Sequence, residues 1–174
     1  GEGVLTLTAR HDEITDAIDV VPLDRGLSAV GNIGDGTLDR LAIELTLPTD
    51  RLGIRGGRFE VESRWDRTRV IDPTTGEDRR ISGQRPRMIE ISYVQDVQRL
   101  KTQFGLFYLP AFDEATFDPD QRSDVHLRNY VQLSADYKPN PGLSIRGEIT
   151  LWDDFEIERT VYEDRQTRRV LFNE

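Results

Sequence analysis

Cysteine is missing from this sequence, which excludes disulfide staples, thiolate metal sites and a cysteine nucleophile. Only two histidines occur, His11 and His126, far apart and without HxH or HxxxH spacing. No metal centre and no Ser/His/Asp triad is expected from them. Positive charge is in deficit. Lys and Arg number 23 against 32 Asp and Glu, giving a net charge of −9 and a pI near 4.8. That surface argues against a nucleic-acid backbone as partner, since phosphate contacts need cations. Long hydrophobic runs are absent as well, so no helix of about 18 apolar residues can be drawn across a membrane. A membrane-crossing β-strand needs only about 10 residues with every second one apolar, so a barrel stays open. The first residue is Gly1 and no signal peptide is visible, so a mature piece or an excised fragment is expected.

What is present is alternation. Charged residues make up 32% and the hydrophobic set 36%, with mean hydropathy −0.56, a balance that suits a sheet with one apolar face, one charged face and long polar loops. The organising stretch is Gly31 to Val70. A glycine-rich corner (Gly31–Gly36) leads into a strand over Thr37–Leu47 in which Leu41, Ile43, Leu45 and Leu47 alternate with Ala42, Glu44 and Thr46. After the Pro48–Gly57 connection, Phe59, Val61 and Trp65 share one face of Gly57–Val70, opposite Arg58, Glu60, Glu62, Arg64 and Asp66. Period two assigns a β-hairpin.

The same pattern predicts strands over Val4–Arg10, Met88–Gln95, Thr102–Leu109, Val125–Tyr137 and Leu143–Trp152, with short extended pieces at Asp19–Pro22 and Arg168–Phe172. All eight prolines fall outside the seven strands so drawn, as ladder hydrogen bonding requires, Pro22 only closing the short extended piece. The connections alternate long and short, the rhythm of a transmembrane barrel with short turns at one end and long polar loops at the other. Trp65, Tyr93, Tyr108, Tyr137 and Trp152 lie near strand ends, where barrels carry aromatic girdles; ordinary core or edge aromatics would read the same way.

Three segments carry a resemblance: Asn32–Gly36 leading into LDRLAIELTLPTDRLGIRGGRF, then DPTTGEDRRISGQRP, then VQLSADYKPNPGLSIRGEI. Their order and spacing resemble the C-terminal part of TonB-dependent outer-membrane receptors, over roughly Val4 to Tyr162. The resemblance implies a barrel of about 22 strands, plugged by an N-terminal domain, that imports scarce nutrients with energy passed from the inner membrane. The plug, a TonB-box segment and a C-terminal strand ending in phenylalanine are not found, so the chain is expected to be a barrel segment. The expected fold is thus all-β, an antiparallel up-and-down meander of seven or eight strands, forming part of a transmembrane β-barrel or else closing as a small barrel or sandwich.

The expected function is uptake of a siderophore, metal complex, cobalamin or oligosaccharide across the outer membrane of a Gram-negative bacterium. The partners would be outer-membrane lipid, a small nutrient ligand and, through the plug alone, an energy-coupling inner-membrane protein. No cofactor, catalytic residue or metal ligand is assigned. Lumen-facing candidates for substrate contact are Glu60, Arg64, Arg128, Arg146 and Glu148; the competing reading is a solvated charge ladder whose pairs are worth a fraction of a kcal/mol each. The acidic stretch Asp113–Asp124 lacks the turn glycine and distal glutamate of an EF-hand and reads as a solvated loop. Glu148 and Asp153 as a glycosidase pair are expected by chance in so acidic a chain, and Gly34-Asp35-Gly36 is a turn without a helix to make a phosphate cradle. The alternative function is a soluble secreted or periplasmic β-sheet module binding carbohydrate or protein.

Overall fold

The computed structural model describes residues 2–164 and 169–174. It contains fourteen strands: β1 (Val4–Ile14), β2 (Ile18–Pro22), β3 (Ser28–Asn32), β4 (Gly36–Pro48), β5 (Gly57–Ile71), β6 (Asp78–Arg79), β7 (Arg87–Val97), β8 (Thr102–Leu109), β9 (Phe112–Phe117), β10 (Gln121–Leu127), β11 (Tyr130–Asn140), β12 (Leu143–Trp152), β13 (Glu156–Asp164) and β14 (Arg169–Asn173). No helix among the described residues is long and apolar enough to cross a membrane.

Seven long strands form one antiparallel meander, in the order β1-β4-β5-β7-β8-β11-β12, with the two-residue β6 paired to β5. Every connection at one end is short: Pro48 to Gly57, Val97 to Thr102 and Asn140 to Leu143. The opposite end carries the long excursions, and these fold. β2 and β3 make a hairpin, while β9, β10, β13 and β14 make a second sheet in the order β14-β13-β10-β9.

The meander register lines up one face. Leu7 sits opposite Ile43, Leu41 opposite Trp65 and Leu45 opposite Val61, and Val61 opposite Ile91. The row continues through Tyr108 to Val131 and on to Leu151. No second layer covers this face among the described residues, and its aliphatic side chains stand open: Leu7 is 65% exposed and Ile149 60%. The sheet neither closes on itself nor folds into a sandwich, because β1 pairs only with β4 and β12 only with β11.

The buried apolar core lies instead at the loop end. Ala17, Ile33 and Val70 are buried together, with Ile14, Val21 and Ile81 packed around them. Gly36 is needed there for close approach, since a Cβ would lie 2.6 Å from a Val70 methyl and 2.7 Å from the Arg69 carbonyl oxygen.

Several expectations are corrected. Val125–Tyr137 is not one strand but two, β10 in the small sheet and β11 in the meander, separated at Arg128-Asn129. The Asn129 side chain holds that corner, accepting hydrogen bonds from the Tyr108 hydroxyl (2.9 Å) and the Ala111 amide (3.1 Å). The acidic loop Pro110–Asp124 contains β9 and the start of β10, and the charged C-terminal stretch contains β13 and β14, strands that charged, weakly alternating sequence concealed. Of the piece expected at Arg168–Phe172, Arg168 lies outside the described residues and the rest falls in β14. Pro22, Pro48 and Pro139 lie inside strands, the first two at the last position and Pro139 in the irregular stretch of β11 where the register shifts. Trp65, Tyr93, Tyr108 and Tyr137 share the apolar face, but Trp152 lies opposite Tyr130, on the other face.

Candidate functional site

Alternation puts the charge on the second face of the meander. Arg40, Glu44, Glu60, Glu62, Arg64, Asp66, Glu90, Arg146 and Glu148 all lie there by register. At its loop end Arg40 donates a forked pair of hydrogen bonds to Asp66, 2.7 and 2.8 Å long. The Asp66 side chain is 2% exposed, and the Arg64 guanidinium lies 3.1 Å from its second oxygen. Asp66 thus lies between two guanidiniums and is fixed by the two charge-assisted bonds from Arg40, while the Arg64 Nε is near it without a hydrogen bond.

Beyond the row of Ala42, Arg64 and Met88, three glutamates stand in register, Glu44 opposite Glu62 and Glu62 opposite Glu90. Like charges directly opposite repel, and no cation lies within ion-pair distance of any of the three among the described residues. Setting three carboxylates side by side costs stability.

The five residues expected to face a lumen are distributed over three places. Glu60 and Arg64 stand on β5, where Glu60 accepts from the Ser92 hydroxyl at 3.3 Å and pairs with Arg58 at 3.1 Å. Arg146 and Glu148 lie on the same face but on the edge strand β12, paired with each other at 3.2 Å, with Asp136 3.9 Å from Arg146. Arg128 belongs to no strand. It lies in the β10–β11 link and pairs with Glu156 of the small sheet at 3.0 Å. The charged face therefore brings together four of the five, at two stations several strands apart.

Sequence reasoning missed the strongest polar cluster, at the loop end. Arg79 is 8% exposed and donates to Asp19 (2.7 Å) and to Asp72 (2.8 Å). Asp72 also caps the turn after β5 by accepting from the Thr74 and Thr75 amides. Asp19 accepts from the Val20 and Ser82 amides. Burial pushes the Asp19 carboxyl up, but the hydrogen bonds from Arg79, Ser82 and Val20 outweigh it and hold the pKa below the usual carboxylate range. The guanidinium also lies over the Phe117 ring, 5.0 Å from its centre. One arginine thus ties the β2–β3 hairpin, the β5–β7 excursion and the small sheet together. The partners lie up to 60 residues apart, so no local motif announces them.

No protein-family model, curated protein or solved structure matches the chain.

Proposed function

We propose that this chain is a wall segment of a larger outer-membrane β-barrel of the TonB-dependent receptor kind, taking part in the import of a scarce nutrient. One observation carries the reading: a seven-strand meander with a bare apolar face, a charged opposite face, short turns at one end and folded loops at the other. Lipid is the medium that such an apolar face suits, and a water-filled lumen suits the charged one. Trp65 and Tyr108 towards the loop end, with Tyr93 and Tyr137 towards the turns, supply the two aromatic belts. Closure requires further strands against β1 and β12. In this arrangement Glu60, Arg64, Arg146 and Glu148 line the lumen, where they meet the ligand or the plug. The soluble-module reading would need Leu41, Ile43, Leu45, Val131, Leu133, Ile145 and Ile149 to bury one another, and they lie side by side on one open face.

Extraction with and without detergent, followed by size-exclusion chromatography, tests the placement. Recovery as a defined β-rich species only in micelles or bilayers is expected; a monodisperse detergent-free monomer overturns it. The transport half is tested in cells by following nutrient uptake before and after a protonophore collapses inner-membrane energy. Uptake that continues unchanged removes energy coupling from the proposal.

A further inference from the structure

The charged face ends, at its loop end, in an aromatic corner. Tyr130 and Trp152 face each other across β11 and β12, and the Phe107 ring packs edge-on against Tyr130 with centres 6.0 Å apart. Between this corner and the small sheet lies a cavity of about 330 Å³, lined among others by Phe112, Tyr130, Trp152, Phe155 and the adjoining Asp153 and Asp154. Its size and largely apolar lining, with four aromatic rings, are those of a small-molecule site. An apolar hollow on a face otherwise wet and charged is not explained by the sheet's own packing.

The charge in the cavity is one-sided. Arg128 also lines it, but Glu156 at 3.0 Å answers that cation. Asp153 and Asp154 have no ion-pair or hydrogen-bond partner among the described residues. Two phenylalanines of the small sheet, Phe112 in this cavity and Phe117 beyond it, already carry guanidiniums of the chain on their faces. Arg85 lies 4.3 Å from the centre of Phe112, and Arg79 and Arg122 lie 5.0 and 5.5 Å from that of Phe117. Trp152 and Phe155, beside two free carboxylates, receive no such cation from the described chain. Indole is the best of the aromatic platforms for a positive charge.

We infer that this cavity binds a small organic cation with a flat or compact apolar body, its charge set against Asp153 and Asp154 and its body against Trp152 and Phe155. The site lies at the loop end of the charged face and does not depend on what covers the apolar face.

The test uses the full chain, in whichever medium keeps it monodisperse, so that failure of membrane placement and failure of this site are separate results. Trp65→Phe leaves Trp152 as the single tryptophan, since the chain has two. Benzyltrimethylammonium should change Trp152 emission saturably, while 3-phenylpropionate and methyl glucoside at equal concentrations should not. Asp153→Asn with Asp154→Asn should weaken the cation by about tenfold, the loss expected for two partly exposed charge contacts. Phe155→Ala should weaken it too. All three positions are solvent-exposed, and unchanged far-ultraviolet circular dichroism verifies the fold. Equal binding of phenylpropionate, saturable binding of the glucoside alone, or unchanged affinity in the double asparagine variant overturns the inference.

Discussion

The meander and the loop end solve the problem of burial in opposite ways. The loop end hides Val70, Ala17 and Ile33 and neutralises Arg79 between two buried aspartates. The meander, with far more aliphatic side chains, hides almost none of them, and Leu5, Leu7, Ile145 and Ile149 remain open. Backbone pairing holds the sheet continuous, yet most of its apolar face lacks hydrophobic burial, the main driving force in water. The loop end thus has a small core of its own, shared with the ends of β1 and β5, while the apolar face of the sheet is left open.

The comparison breaks most sharply at Arg79. Replacing it by Met leaves Asp19 and Asp72 buried without their cation, a loss of about 3–5 kcal/mol. The expected result is loop-end unfolding, seen as lost amide protection in β2, β3 and β6, while the meander keeps its β-sheet dichroism. Simultaneous loss of both regions would mean that they are one cooperative unit. A charge on the bare face comes next. Leu133→Arg should cost about 2–4 kcal/mol for refolding into bilayers, and the neighbouring Gln132→Arg, on the charged face, much less. Equal effects in the two variants would sink the lipid assignment.

A smaller effect sits at Ser63, on the apolar face between Ile43 and Ile89. Its hydroxyl is buried and finds no partner, so Ser63→Ala should stabilise by about 1 kcal/mol in denaturant titrations.

Acid separates the regions as well. Asp19 has a folded pKa below its unfolded value of about 3.9, so its contribution is complete above that pH and is lost as the pH falls through the folded value. Loop-end protection should fade in that window and Asp19→Asn should remove the dependence. His126 behaves in the reverse sense. The Asp113 hydrogen bond raises its pKa, so its modest surface contribution is present below about pH 6.5 and lost as the pH rises through the folded value. Nuclear magnetic resonance titration should show the raised midpoint, with Asp113→Asn returning it.

Much of the meander was legible because alternation is a local signal. Thr102–Leu109 and Leu143–Trp152 are β8 and β12 to the residue, and Gly57–Val70 falls one short of β5. The same signal misled at Val125–Tyr137, because period two runs on through Arg128-Asn129 with neither proline nor glycine to mark the corner. β13 escaped because Glu156, Glu158 and Arg159 mask the alternation of Ile157 and Val161. Of the candidate site, the facing of Glu60, Arg64, Arg146 and Glu148 was readable from the period. The Asp19–Arg79–Asp72 knot and the cavity beside Trp152 were not, since each is assembled from chain segments that only the fold brings together.

The pairing order of the small sheet has a kinetic consequence. Each meander strand pairs with the meander strand before it in the chain, and the short-turn hairpins are nearly local, so they can assemble like teeth of a zip. β10 must instead find β13 across the whole β11–β12 hairpin, Gln121 reaching Val161. That long closure is entropically costly until the hairpin has formed. Pulse-labelled hydrogen exchange should find β11 and β12 protected before β10 and β13, the small sheet acting as the clasp fastened last.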